Sequence, residues 1–291
     1  MKLPGAMRNR EPIFSSGYAM RRSKPLFTAI CLLLASLAGT TAMACPRIVS
    51  QSPYITHQLD WLGLKDCIVG VSRYEHNAKA ANTGGVLDPD AEAIAAVKPD
   101  LVITSIWTPP EKLAAATPSG ARTLRLASFQ SMTQVEENLR RIGLAAGLKT
   151  ANARAKDFGK AWREMASTVN GGGQRVLLLS SCTGQPYSFG RNTWLANLFT
   201  VAGFVVADPT EGVRHLRREA TEEAVTTLIA EMKPDVVFIF NRQIAASCGT
   251  VPLPPGTPLV ALDGEKFLHP APILIDGLKQ LKAKRQEWAK R

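Results

Sequence analysis

The chain has 291 residues, 45% of them apolar and 20% charged. That balance excludes a disordered chain, a collagen-like fibre and a multi-span membrane protein, and the length calls for one large or two medium domains. The net charge of +11 is concentrated at the start: residues 1–44 hold six basic residues against Glu11 alone, and the other 247 hold 29 Lys and Arg against 23 Asp and Glu. Apart from Lys279–Arg291 no dense basic run follows, so nothing in the pattern points to nucleic acid.

Residues 1–44 read as a secretory signal peptide. Arg21, Arg22 and Lys24 precede an apolar run, Leu26–Ala38, and Ala42-Met43-Ala44 is an A-x-A cleavage site. The run is too short to span a bilayer comfortably. The expected compartment is the periplasm. Beyond the leader the chain divides into an N-terminal α/β lobe (45–149), a linker helix (150–172) and a C-terminal α/β lobe (173–291).

Four cysteines follow the leader: Cys45, Cys67, Cys182 and Cys248. An even count in an exported chain favours two bridges, with three connectivities open. Cys45 lies three residues before one expected strand and Cys67 one residue before another. Parallel neighbouring strands would bring both thiols to one end of a sheet. The expected bridges are Cys45–Cys67 and Cys182–Cys248. A lipid-modified Cys45 is the alternative, although Ala42 departs from that pattern.

Short β-branched runs alternate with helical patterns. Expected strands cover Arg47–Ser50, Ile68–Ser72, Leu101–Ser105 and Thr123–Ala127, then Arg175–Ser181, Phe204–Ala207, Val236–Phe240 and Leu259–Leu262. Their continuous apolar character implies buried parallel sheets with helices on both faces. The halves echo each other. Lys98-Pro99-Asp100-Leu101 returns as Lys233-Pro234-Asp235-Val236, each ending a helix (Asp90–Val97, Thr221–Met232) and opening a strand. Leu62-Gly63-Leu64 and Ala202-Gly203-Phe204 correspond in the same way. Between the halves, Met132–Val169 is helical in composition; Gly143 and Gly147 weaken its first half, and Thr150 is placed to cap a second helix over Ala151–Val169 about 28 Å long. A stiff helical linker allows only a small closing motion.

Arg47-Ile48-Val49-Ser50-Gln51-Ser52-Pro53, followed by Leu62-Gly63-Leu64 and Val69-Gly70-Val71-Ser72, resembles the opening of periplasmic substrate-binding proteins for iron-siderophores, haem and cobalamin. Asp90–Ile94 leading into Lys98–Val102, the Met132–Val169 region and Phe267-Leu268-His269-Pro270-Ala271-Pro272 extend the likeness from about Arg47 to Leu281. His57 departs from it, standing where the family usually has a carboxylate. The resemblance implies two lobes, each with a central parallel sheet, joined by a single long α-helix, with ligand held between them. It implies an ABC importer permease in the inner membrane as partner. Docking would use one acidic residue per lobe: Glu111 in the first, and one of Glu219, Glu222 and Glu223 in the second, with Glu222 and Glu223 nominated.

In open α/β sheets ligands bind beyond the carboxyl ends of the strands. The loops expected there are Ser52–Tyr54, Arg73–Asn77, Ile106–Pro110, Ser128–Gln130, Cys182–Arg191, Asp208–His215, Asn241–Arg242 and Asp263–Phe267. They hold Tyr54, Tyr74, Trp107 and Tyr187 as candidate ligand contacts. Phe129, Phe189 and Trp194 are the rings most apt simply to cap the sheets. Aromatic side chains in this place suit a large, partly apolar ligand. Arg73, Arg191, Arg214 and Arg242 would supply forks for its carboxylates. The expected ligand is a metal chelate (iron-siderophore, haem or cobalamin), with no intrinsic cofactor and a monomeric protein.

The other readings are a bare zinc or manganese binder, an enzyme, and a cofactor-assembly protein on the same fold. Bare metal needs three or four convergent ligands, and only His76 and His215 fall in these loops. A single axial contact to haem iron from Tyr74 or His76 is a narrower form of the chelate reading. An enzyme would need a nucleophile elbow, a P-loop or a dinucleotide fingerprint, and the sequence contains none.

Overall fold

The hydrophobic runs form two sheets whose central strands are buried on both faces. A computed structural model describes residues 45–75, 79–181, 185–216, 221–241, 253–256 and 258–288. The first sheet contains β1 (Ile48–Ser50), β2 (Ile68–Val71), β3 (Ala81–Asn82), β4 (Leu101–Ser105) and β5 (Arg122–Leu126). Its order is β3-β2-β1-β4-β5, with every pair parallel. The second contains β6 (Arg175–Ser180), β7 (Tyr187–Phe189), β8 (Val205–Val206), β9 (Val213–His215), β10 (Val236–Asn241) and β11 (Leu259–Asp263), in the order β11-β10-β6-β7-β9 with β8 on β6.

The helices are α1 (Pro53–Trp61), α2 (Ala91–Ala96), α3 (Pro110–Ala116), α4 (Met132–Ala145), α5 (Ala151–Ser167), α6 (Trp194–Val201), α7 (Thr221–Met232), α8 (Gly264–Phe267) and α9 (Leu274–Trp288). Alternate residues of one strand enter different cores. Leu177, Leu179, Val237 and Ile239 pack with Val225 and Leu228 of α7. Val176, Leu178, Phe238 and Phe240 join a larger core with Phe158 of α5 and Phe199 of α6. In the first sheet Val49 and Val102 meet Ile94 and Leu113, while Ile48, Leu101 and Ile103 enter the larger core. The period of two is hidden in the sequence because both faces are buried.

The duplication extends to individual contacts. Asp100 and Asp235 each accept the backbone N–H of an arginine that opens the neighbouring strand, Arg47 and Arg175, at 2.7 Å. Those arginines reach back to the final carbonyls of the preceding helices: Arg47 Nη2 to Val97 O at 2.7 Å, and Arg175 Nε to Met232 O at 2.7 Å. A cation there satisfies orphan carbonyls and opposes the helix dipole. Lys98 and Lys233, each before its proline, both take φ +45°.

Gly63 and Gly203 end α1 and α6 at φ +76° and +91°. In each case the next N–H bonds five residues back, Leu64 to Leu59 at 2.8 Å and Phe204 to Phe199 at 3.1 Å. This is the Schellman stop that glycine permits.

The structure adds detail to the expected elements and shortens one of them. The centre of the second sheet is parallel as expected, with β11, β10, β6 and β8 all running one way, and β7 and β9 add an antiparallel edge. As Gly143 and Gly147 and the separate helix from Ala151 suggest, the helical region between the sheets is two helices, α4 and α5, and Gly147 at φ +80° closes the first. The two helices pack on each other, tied by Glu136, which accepts from Trp162 Nε1 at 2.9 Å and Arg163 Nη2 at 2.6 Å. The second helix is 17 residues, about 26 Å, and Thr150 occupies its N-cap position without a side-chain cap bond.

Cys45 and Cys67 form a disulfide with Cα atoms 5.5 Å apart, where the parallel pair β1–β2 begins. Cys182, Cys248 and residues 1–44 lie outside the described residues, and so do His76, Glu219 and Arg242. Among the described residues no helix is long and apolar enough to cross a membrane.

Candidate functional site

Two loops and the first turn of α1, all following strands of the first sheet, bring three rings together. Tyr54 follows β1, Trp107 follows β4 and Phe129 follows β5. Trp107 stacks on Phe129 with centroids 5.6 Å apart and planes 24° from parallel. Tyr54 meets both edge-on, at 4.9 Å from Phe129 and 5.9 Å from Trp107. Tyr54 and Phe129 are buried, whereas Trp107 is 47% exposed. Tyr74, after β2, is 50% exposed. The buried pair therefore supports Trp107, and Trp107 and Tyr74 present aromatic surface to solvent.

The Tyr54 hydroxyl lies beside Ser105 and Ser52 but makes no well-formed hydrogen bond. Burial pushes it up to about 12, against a smaller lowering by those two hydroxyls. It stays a neutral phenol at physiological pH.

A second aromatic group stands at the carboxyl end of β6, because antiparallel pairing places Tyr187 opposite Ser180. Tyr187 meets Phe189 at 5.4 Å and the His215 ring at 5.8 Å, and Phe189 meets Trp194 at 5.5 Å. Tyr187, Phe189 and Trp194 are buried, and His215 is exposed. The two groups are joined by backbone, Trp194 N donating to Phe129 O at 3.1 Å. Trp194 Nε1 donates to Phe267 O at 3.1 Å, so this ring is fixed at both ends.

The three described candidate arginines are already engaged. Arg73 pairs with Asp88 at 2.8 Å, both half exposed. Arg191 Nε donates to Pro209 O at 2.9 Å. Arg214 Nη2 lies 3.0 Å from Asp208 Oδ1. Asp208 is fully buried, and it also accepts from the Ser188 hydroxyl and from Thr210 N at 2.9 Å. Burial alone would raise this carboxyl. The Ser188, Thr210 and Arg214 donors outweigh burial and hold it below the usual carboxylate range.

Asp208 was not singled out in the sequence. Its signal was the Asp-Pro-Thr turn, in which the aspartate caps the N–H two residues on. Leu87, 58% exposed beside these loops, was missed as well, because it lies in a segment between β3 and α2 that was not nominated.

The acidic candidates for docking stand on the surface. Glu111 is exposed in the first turn of α3, and Glu222 and Glu223 are exposed in the first turn of α7. Anions there complement the helix dipole, a local reason for their presence. Glu223 also borders a cavity of about 440 Å³ shared with Arg214, His215, Thr227 and Glu231. A larger cavity of about 660 Å³, lined by His57, Asp60, Lys65 and Glu75 among others, has none of the rings of the two aromatic groups in its lining. Among the described residues no group of three His, Cys, Asp or Glu could hold a metal ion.

The sequence profile of the periplasmic binding protein family matches residues 48–249. No curated protein matches the chain in sequence. Among solved structures, the apo form of the periplasmic haem-binding protein RhuT from Roseiflexus sp. RS-1 is similar with TM-score 0.65 at 23% identity, over 84% of this chain and 98% of that one. The periplasmic vitamin B12-binding protein BtuF of Vibrio cholerae gives 0.63 at 18%, over 85% and 99%. The periplasmic haem-binding protein HutB of Vibrio cholerae gives 0.66 at 18%, over 82% and 98%. At these identities the likeness is one of fold, two α/β lobes.

Proposed function

The chain belongs to the periplasmic binding protein family, and on that premise we propose that it captures a metal chelate in the periplasm and passes it, chemically unaltered, to an ABC importer permease. The observation that carries this reading is the half-exposed Trp107, stacked on buried Phe129 at the carboxyl ends of the first sheet, with Tyr74 exposed after β2 on the other side of β1. Rings held in this way offer a flat apolar surface on a rigid support. Proteins of the same fold bind haem and vitamin B12.

Within the chelates, a flat macrocycle such as haem or a corrin suits the site better than a strongly anionic siderophore. Arg73, Arg191 and Arg214 all give hydrogen bonds to acceptors of their own chain. A catecholate ligand would have to displace them for most of its binding, whereas a macrocycle stacked on Trp107 would call on them only for peripheral carboxylates. Glu111, with Glu222 or Glu223, would meet the permease, and the helix pair α4–α5 would act as the spine between the lobes.

The test is the absorption spectrum of the protein purified from cells grown with iron, haem or cobalamin. A Soret band or a corrin spectrum co-purifying at one equivalent supports the reading. A siderophore charge-transfer band would keep the family role but overturn the macrocycle. Failure to bind any of the three at micromolar affinity, about −8 kcal/mol, would overturn the chelate.

A further inference from the structure

The loop that presents Trp107 is gripped by one guanidinium. Arg125 stands on β5, paired in register with Thr104 of β4. Its Nη2 donates to Ile106 O at 2.7 Å and its Nε to Thr108 O at 2.9 Å. Those are the carbonyls on either side of Trp107 in the chain, so a single planar fork fixes both ends of the turn. Thr108 completes the grip. Its N–H donates to Ser105 O at 3.0 Å, and its hydroxyl bonds the Thr104 hydroxyl and Val86 O.

The Trp107 ring needs such a clamp, because it is half exposed and burial holds one of its faces at most. Among the described residues Arg125 pairs with no carboxylate, so its charge is directed at these two carbonyls.

We infer that Arg125 is a positioning residue for ligand capture: it sets the orientation in which Trp107 receives the flat face of the chelate, and it acts through Trp107. This rests on the reading of Trp107 as a ligand platform. A lysine at 125 keeps the charge but loses the fork, and a methionine keeps the apolar stem alone.

The test uses the exported protein labelled with 5-fluorotryptophan. The Trp107 resonance is identified as the one lost in Trp107→Phe, and haemin is the probe ligand. Arg125→Met should shift or broaden the Trp107 resonance and leave the other four tryptophan signals in place, which also reports that the variant is folded. Arg125→Lys should fall between the two. Haemin affinity should drop about tenfold in Arg125→Met and change less than about twofold when the substitution is added to Trp107→Ala, the non-additivity of residues acting as a unit.

An unmoved Trp107 resonance in Arg125→Met overturns the inference. So does an equal loss of haemin affinity in both backgrounds, which would mean that Arg125 meets ligand directly or acts through the fold. If Trp107→Ala binds haemin as tightly as the unsubstituted protein, the platform itself is refuted, and the positioning role falls with it whatever the resonance does.

Discussion

Asp208 joins stability to the architecture of the second lobe. Its carboxylate is fully buried and receives the Ser188 hydroxyl, Thr210 N–H and Arg214. Asp208→Ala removes all three acceptor contacts at once. Hydrogen bonds to a charged group contribute about 1.5–3 kcal/mol each, and a buried hydroxyl left unpaired costs about 1–3 kcal/mol. Ser188 is completely buried and would bear that cost. The Arg214 side chain is 33% exposed and can rehydrate, so its share is discounted.

The expected loss is about 3 kcal/mol at pH 7, or about 6–12 °C in Tm for a chain of this size. The carboxyl is depressed in the folded protein, so its contribution is complete above the unfolded value of about 3.9 and is lost as pH falls through the lower folded value. Urea unfolding at pH 7 and at about pH 3 measures both effects. The gap between the two proteins should be full at pH 7 and shrink in acid. A loss under about 1 kcal/mol at pH 7, or a gap that widens in acid, would refute the reasoning.

Three other substitutions probe separate parts of the structure. Tyr54→Phe removes a buried hydroxyl that makes no well-formed hydrogen bond, so stability should change by less than about 1 kcal/mol. An ultraviolet titration of the folded protein should lose a phenol that ionises near 12, and loss of one ionising near 10 would contradict that burial. Gly70→Ala would place a methyl 2.6 Å from Thr83 Cγ2, buried just after β3, and 3.1 Å from Val49 Cγ2 on β1. It should cost about 1–3 kcal/mol in urea unfolding, and pairing it with Thr83→Ser should recover part of the loss. Glu111→Lys should reduce uptake in a transport assay and leave ligand affinity in solution unchanged; a loss of affinity would contradict a docking role.

The fold was legible where burial or backbone chemistry leaves a strong local mark. Lys-Pro-Asp before β4 and β10 marked both helix stops, and β4 begins and ends where its apolar run does. Glycine in a left-handed conformation ended α1 and α6 where Leu-Gly-Leu and Ala-Gly-Phe had suggested turns. The short strands β3, β7 and β9 were missed, since two or three residues cannot establish a period. Tyr187-Ser188-Phe189 in particular reads as part of the loop that follows the strand ending at Ser181, whereas it pairs with that strand.

The site was legible only in part. Position after a strand identified Tyr74 and Trp107, which are exposed. The same argument named Tyr54 and Tyr187, which are buried supports, because position along the chain does not tell which ring lies on top of which. The partners of the arginines were hidden for a related reason. Asp88 and Asp208 lie 15 and 6 residues from Arg73 and Arg214, and only loop geometry brings them together.

Titration of the exported protein with haemin and with cyanocobalamin, followed by tryptophan fluorescence, tests the central claim most directly. The expected result is saturable quenching at one equivalent with micromolar or tighter affinity for one of the two, weakened about tenfold by Trp107→Ala, a loss of about 1.4 kcal/mol. Quenching that never saturates with either macrocycle, or saturation that Trp107→Ala leaves untouched, would contradict a chelate seated on the exposed tryptophan.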